Sequence, residues 1–133
     1  MPARILIVED NAANLKLVEY LLKAAGHRVS SATDGGEGVR MARKERPDLI
    51  LCDLQIPVLD GYEVLQQLRS DAATRAIPIV AVTAFSAPGD QTKVIDAGFD
   101  GYLSKPIDPE KFVAQAEHYL PPGMRTGFPL NRR

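Results

Sequence analysis

The sequence predicts an α/β domain in which helices cover both faces of a five-stranded parallel sheet. Five short, mostly apolar runs alternate with stretches of helical periodicity, which is the order expected of repeated strand–helix units. Most of these runs are apolar at consecutive positions, as in strands that are buried on both faces. The predicted strands are residues 5–8, 28–32, 49–52, 77–82 and 101–103.

Helical spacing predicts one helix after each strand. Apolar side chains recur at helical intervals between residues 15 and 25, with Asn11 as a candidate N-cap and Gly26 as a stop. Residues 36–45 and 61–69 also place apolar side chains on one helical face. The first three helices are therefore predicted as amphipathic elements that cover the sheet.

The last two predicted helices differ in what they can bury. Residues 89–97 offer few apolar side chains, so this helix should be among the least stable elements. Asp108 and Pro109 form a suitable N-cap and first residue for a final helix that reaches Leu120.

The alternation of strands and helices also predicts the topology. Right-handed crossovers between parallel strands give a doubly wound sheet, and we expect the flavodoxin-like strand order 2-1-3-4-5 with five helices. We place this domain at residues 1–120. Residues 121–133 contain Pro, Gly and terminal Arg without periodicity, and we interpret them as a flexible C-terminal tail.

Composition limits the partners of the protein. The chain has 133 residues and is 45% hydrophobic, which suits one domain with a sizeable core. A net charge of −1 gives no field that would recruit nucleic acid or an anionic membrane, and no apolar stretch approaches a membrane span. The single cysteine, Cys52, excludes an internal disulfide and fits a reducing cytoplasm. We interpret Cys52 as a small core residue, and His27 and His118 as surface residues.

Polar residues collect where the predicted strands end. Glu9 and Asp10 follow the first strand, Asp53 the third, Thr83 the fourth and Lys105 the fifth. The carboxyl ends of parallel strands meet at one edge of the sheet, which is where doubly wound sheets bind ligands. Crowded carboxylates repel one another, so this cluster predicts balancing cations.

Two kinds of chemistry suit this cluster. Carboxylate oxygens favour Mg²⁺, and the backbone carbonyl of Gln55 would add one more oxygen ligand. A carboxylate beside Mg²⁺ and a lysine can also attack a phosphoryl group as a nucleophile. Lys105 and the hydroxyl of Thr83 would then stabilise the transferred group.

Together these residues resemble the receiver domain of two-component response regulators. The resemblance covers residues 3–120, and its segments fall in the order and spacing of the family. They are VEDN at 8–11, DLILCD at 48–53, IP at 56–57, DG at 60–61, VTA at 82–84 and YLSKP at 102–106. Asn11 and Asn14, with VTAF at 82–85, further resemble stand-alone regulators of the DivK type and the receivers of hybrid kinases.

The resemblance implies a site for phosphorylation. Asp53 would accept a phosphoryl group from a histidine kinase or a histidine phosphotransfer protein. Asp10, Asp53 and the carbonyl of Gln55 would bind Mg²⁺, and Glu9 would help directly or through water. Leu54 and Gln55 stand where the family often has methionines, but the carbonyl contact does not depend on the side chain.

The resemblance also implies a conformational switch. Thr83 and Tyr102 would be the switch pair, Lys105 would contact the phosphate, and the Lys105–Pro106 peptide bond would be cis. We expect a cytoplasmic signalling protein that is not an enzyme beyond self-catalysed phosphorylation and dephosphorylation. It would act on a downstream protein or pass the phosphoryl group on, without nucleic acid, as a monomer or weak homodimer.

Several alternatives stay open from the sequence. The chain could be a receiver fragment of a hybrid kinase or longer regulator, or a docking adaptor that works without phosphorylation. An aspartate-based phosphatase of the haloacid dehalogenase type needs a second carboxylate two residues after the nucleophile, and position 55 is Gln. A flavin-binding protein would need a phosphate-cradling loop after the first strand, where Glu9 and Asp10 would repel phosphate.

Overall fold

The sheet has five parallel strands in the order β2-β1-β3-β4-β5, which confirms the predicted topology. The computed structural model describes residues 2–84 and 89–126. The strands are β1 Arg4–Val8, β2 Arg28–Ala32, β3 Leu49–Asp53, β4 Ile79–Thr83 and β5 Gly101–Ser104. The α-helices are α1 Ala12–Ala24, α2 Gly35–Glu45, α3 Gly61–Arg69, α4 Asp90–Ala97 and α5 Phe112–Glu117.

Two apolar cores lie on opposite faces of the sheet. Because side chains alternate along a strand, Leu6 and Ile50 point to the face covered by α2, α3 and α4. Ile5 and Leu49 point to the other face, which α1 and α5 cover. Because both faces of the sheet are buried in this way, consecutive residues of the strands are apolar.

The helix starts are defined by polar caps. The Asn11 side chain accepts a hydrogen bond from the Asn14 amide at 2.9 Å, as predicted. Asp60 and Glu63 form a capping box at the start of α3. Gly26, after the end of α1, has a φ of +96°, which suits its predicted role as a stop.

The fourth helix exists but buries little. Val94 is the one residue of α4 that is fully buried, and Ile95 is 45% exposed. The helix begins after Gly89, whose φ is +92°, and receives no hydrogen bond from a capping side chain. This agrees with the expected weakness of the segment. The adjoining residues 85–88, including the Phe85 of the VTAF motif, lie outside the described part of the chain.

The predicted start of the last helix is wrong. The α-helix begins at Phe112 rather than after Asp108, and residues 109–111 form a turn. The Asp108 side chain accepts from the Glu110 amide at 3.0 Å, and its carbonyl accepts from the amides of Lys111 at 3.1 Å and Phe112 at 2.9 Å. These bonds cap a turn that leads into the helix. The helix ends at Glu117, before the predicted Leu120.

Residues 121–126 follow α5 and lie against the domain. Pro122–Met124 form a 3₁₀ turn, and the Arg125 guanidinium donates to the carbonyl oxygens of Leu120 and His118 at 2.9 and 3.1 Å. The rest of the predicted tail, residues 127–133, falls outside the described residues. The boundary at residue 120 stays a prediction.

One predicted surface residue is buried. His27 is 4% exposed and contacts Glu117, so its assignment to the surface is wrong, whereas His118 is exposed as predicted. The residues beside His27 gave no apolar pattern that would indicate its burial. Within residues 2–84 and 89–126, no helix has the length and apolar character needed to cross a bilayer.

Candidate functional site

A single lysine joins the ends of three strands. Glu9 directly follows β1, Asp53 is the last residue of β3, and Lys105 directly follows β5. The Lys105 ammonium Nζ lies 3.0 Å from Glu9 Oε1 and 2.8 Å from Asp53 Oδ2. The structure therefore brings together the acidic and basic residues that the sequence placed at this edge.

Asp10 completes an acidic cluster. One carboxylate oxygen each from Glu9, Asp10 and Asp53 lies within 4.8 Å of the others. Glu9 and Asp53 are buried, while Asp10 is exposed. The cluster is consequently open to solvent on the side of Asp10 and closed by the sheet on the other.

Backbone amides hold the two buried carboxylates in place. The Asn11 amide donates to Glu9 Oε2 at 3.1 Å, and the Gln55 amide donates to Asp53 Oδ1 at 3.1 Å. Each of these carboxylates therefore receives one bond from the backbone and one from Lys105. Such bonds orient the oxygens without neutralising the excess negative charge.

Burial and crowding affect the protonation of this site. Burial is the main cause that raises the pKa of Glu9, and repulsion from Asp53 adds to it, against hydrogen bonds from Asn11 and Lys105. Burial alone would lower the pKa of Lys105, but its hydrogen bonds to Asp53 and Glu9 outweigh this effect and raise it. Lys105 is therefore held as an ammonium ion.

The two predicted switch residues lie on neighbouring strands. Thr83 is buried at the end of β4, and Tyr102 is half-buried on β5. The Tyr102 hydroxyl donates to Gln91 Oε1 of α4 at 3.0 Å. The side chain of Tyr102 thus links β5 to α4.

A cavity of about 430 Å³ lies between α3 and α4, near the carboxyl ends of β3 and β4. Thr83 lines it from β4 and Gln55 from the loop after β3. The other lining residues are Leu54, Asp60, Tyr62, Ala84, Asp90, Lys93 and Val94. None of Glu9, Asp10 and Asp53 lines this cavity, so it extends along the loop after β3 toward α4.

Cys52 takes no part in the site. It is fully buried in the core on the face of α2, α3 and α4, as predicted, and burial raises the pKa of its thiol. The Lys105–Pro106 peptide bond is cis, as predicted.

Sequence comparison gives the family. A receiver-domain profile of the response regulators matches residues 5–117, and the chain belongs to the response regulator receiver domain family. The chain is 42% identical to the polar-differentiation response regulator DivK of Brucella anthropi over 120 residues, 90% of this chain and 98% of DivK. The predicted resemblance to regulators of the DivK type is confirmed. Proteins of this family act in two-component signalling.

Solved structures agree with this assignment. The chemotaxis response regulator CheY4 of Vibrio cholerae is 30% identical, with a TM-score of 0.84 and coverage of 90% of this chain and 100% of CheY4. The receiver domain of the sensor histidine kinase PA1611 from Pseudomonas aeruginosa is 36% identical, with a TM-score of 0.81 and coverage of 90% and 98%. That structure has a magnesium ion coordinated in the active-site cleft.

One feature of the site was not foreseen from the sequence. The Gly35 amide, at the start of α2, donates to the carbonyl oxygen of Pro57 in the loop that carries Gln55. The adjacent glycines Gly35 and Gly36 were the sequence signal for this close contact. Judged by helix propensity alone, two glycines only weaken the start of a helix.

Proposed function

We propose that this protein is a phosphoacceptor in which Asp53 receives a phosphoryl group from a histidine kinase or a histidine phosphotransfer protein. The observation that carries the proposal is the position of Lys105, whose ammonium contacts both Asp53 and Glu9 beside the carboxylate of Asp10. The acceptor carboxylate is fixed by one backbone amide and one ammonium ion. A nucleophile with this geometry is held ready for transfer.

We propose Mg²⁺ as the cofactor. The donor set fits this ion, because three carboxylates supply hard oxygen ligands within 4.8 Å and the only cysteine points into the core. Asp10, Asp53 and the carbonyl of Gln55 would hold the ion, with Glu9 in direct contact or bridged by water. When bound, Mg²⁺ would neutralise negative charge on the transferring phosphoryl group.

The transfer itself follows from the position of Asp53. A carboxylate oxygen of Asp53 forms a bond to phosphorus, while the bond from phosphorus to the donor's imidazole nitrogen breaks. The electron pair of that bond stays on the imidazole, which takes up a proton. The Lys105 ammonium and the Thr83 hydroxyl would stabilise oxygens of the transferred group.

The output would be a change in protein contacts. Phosphorylation adds negative charge and strong acceptor oxygens beside Thr83, and movement of Thr83 would make room for Tyr102 to turn inward. Tyr102 would then leave Gln91, and the weakly packed α4 would shift with it. The altered face would contact a downstream protein, or the phosphoryl group would pass along a relay.

We propose a cytoplasmic monomer or weak homodimer that does not bind nucleic acid and catalyses at most its own phosphorylation and dephosphorylation.

Labelling with acetyl phosphate tests the acceptor. In Mg²⁺, the wild-type protein should form an acyl phosphate that hydroxylamine removes, and Asp53→Asn should incorporate none. Asp96→Asn, at an exposed position on α4, is the matched control and should label like wild type. Incorporation into Asp53→Asn at the wild-type level would refute the assignment, and would favour the alternative of an adaptor that works without phosphorylation at this residue.

A second assay separates the remaining alternatives. Phosphotransfer from each histidine kinase of the source organism should identify a preferred donor in trans. A receiver that belongs to a hybrid kinase should instead be labelled fastest by its own kinase core.

A further inference from the structure

The loop that carries Gln55 is fastened to the start of α2. Residues 54–60 connect β3 to α3, and the Gly35 amide donates to the Pro57 carbonyl oxygen across this junction at 3.0 Å. Gly35 is buried, so this bond is shielded from water. The loop is thus attached to a helix that contributes no side chain to the acidic cluster.

Glycine is required at this contact because of close approach. A Cβ atom at Gly35 would overlap the Leu59 carbonyl oxygen and would lie 2.8 Å from its carbon. Both are backbone atoms, so the loop would have to move as a whole. The next position is less crowded: a Cβ at Gly36 would meet Val58 Cγ1 at 3.1 Å and Asp34 Oδ1 at 3.3 Å, which are side-chain atoms and not backbone.

The fastened part of the loop is a strained turn. Val58 has a φ of +73°, which is unusual for a β-branched residue, and the Leu59 amide donates to the same Pro57 oxygen at 2.9 Å. Strained turns persist only where the surrounding structure imposes them. The Gly35 amide and the close contact with Leu59 supply such a restraint.

The other end of the loop is held independently. The Gly61 amide donates to the Leu54 carbonyl oxygen at 2.9 Å, and the Gln55 amide donates to Asp53 Oδ1 at 3.1 Å. Gln55 therefore lies between an anchor on β3 and α3 and the anchor on α2. The direction of its carbonyl depends on both.

We propose that Gly35 is a positioning residue for the metal site. By admitting the loop against α2, it fixes residues 57–59 and so restrains the orientation of the Gln55 carbonyl. This inference rests on the proposed role of the Gln55 carbonyl as a Mg²⁺ ligand. Partners that orient metal ligands affect affinity even though they do not touch the ion.

Mg²⁺ titration of matched variants, followed by ¹⁵N NMR shifts, tests this role. Gly35→Ala should bind Mg²⁺ about tenfold more weakly than wild type, whereas Gly36→Ala should keep the wild-type affinity. Both changes replace glycine by alanine in the first turn of one helix, so they share any effect of helix propensity. Equal affinities for folded Gly35→Ala and Gly36→Ala would overturn the proposal.

Hydrogen exchange in the wild-type protein gives a test that does not depend on a variant folding. Because coupling between two sites is reciprocal, saturating Mg²⁺ should slow exchange of the Gly35 amide relative to that of Gly36. Unchanged exchange at Gly35 would also overturn the proposal. A different result would show that the proposed Mg²⁺ site is itself wrong. In that case the NMR shifts of wild type and of Asp10→Asn would respond to Mg²⁺ in the same way.

Discussion

The two ends of the parallel sheet both bury carboxylates, but they satisfy them differently. At the amino end, Glu117 Oε2 lies 2.6 Å from His27 Nε2 and accepts from the Thr126 hydroxyl at 2.7 Å. Glu117 Oε1 accepts from the Thr126 amide at 2.9 Å. The Ala3 amide donates to His27 Nδ1 at 3.0 Å, so a neutral imidazole carries its proton on Nε2 and donates it to Glu117.

The carboxyl end has more charge than its protein partners can balance. Glu9, Asp10 and Asp53 bring three negative charges to one ammonium ion, that of Lys105, which leaves a local charge of −2. The amino end gathers one carboxylate among several donors. This difference teaches that burial of a carboxylate does not identify a ligand site, whereas an unbalanced group of carboxylates does.

The largest expected loss of stability is at the amino end, where the carboxylate is fully hydrogen-bonded. Glu117→Ala leaves the buried Nε2–H of His27 without its acceptor and removes the two bonds from Thr126, and should lower the free energy of unfolding by about 3 kcal/mol. Urea denaturation measures the loss. Glu110→Ala, at an exposed residue of the turn before α5, is the control and should cost little. A loss for Glu117→Ala as small as that of the control would remove the contrast between the two ends.

Binding of Mg²⁺ should offset the excess negative charge at the carboxyl end of the sheet and so stabilise the protein. At a concentration one hundred times the dissociation constant, Mg²⁺ should raise the free energy of unfolding of the wild-type protein by about 2.7 kcal/mol. Asp10→Asn lacks one proposed ligand and should gain much less under the same conditions. Chemical denaturation with Mg²⁺ or with EDTA measures both values. Equal stabilisation of the two proteins would argue against Asp10 as a ligand.

The smallest expected change in the free energy of unfolding is an increase, whereas Glu117→Ala should cause a decrease. In EDTA, Asp10→Asn removes one of three repelling carboxylates and should raise the free energy of unfolding by about 1 kcal/mol, because Asp10 is exposed and the repulsion is screened. Asp96→Asn, which also removes one exposed carboxylate, controls for the change in net charge. A site that gains stability when a functional carboxylate is removed is one arranged for a ligand. Lower stability of Asp10→Asn than of the control would show that the cluster is already balanced.

The fold and the membership of the acidic cluster could be predicted from the order of residues alone. The period of apolar residues is local information, and parallel strands bring their carboxyl ends to one edge wherever they are paired. Glu9, Asp10, Asp53 and Lys105 could therefore be grouped before any distance was known. Thr83 was placed at the same edge for the same reason.

Contacts between segments far apart in the chain could not be predicted and became visible in the folded domain. His27 lies 90 residues from Glu117, and no local pattern indicates that the two meet in the core. Asp108 makes a cap-type bond to the Glu110 amide, yet residues 109–111 form a turn and α5 begins at Phe112, so the local cap did not set the first residue of the helix. Gly35 looked like a weak helix start, but its missing Cβ admits the backbone of Leu59, and such close packing is defined only when both segments have folded together.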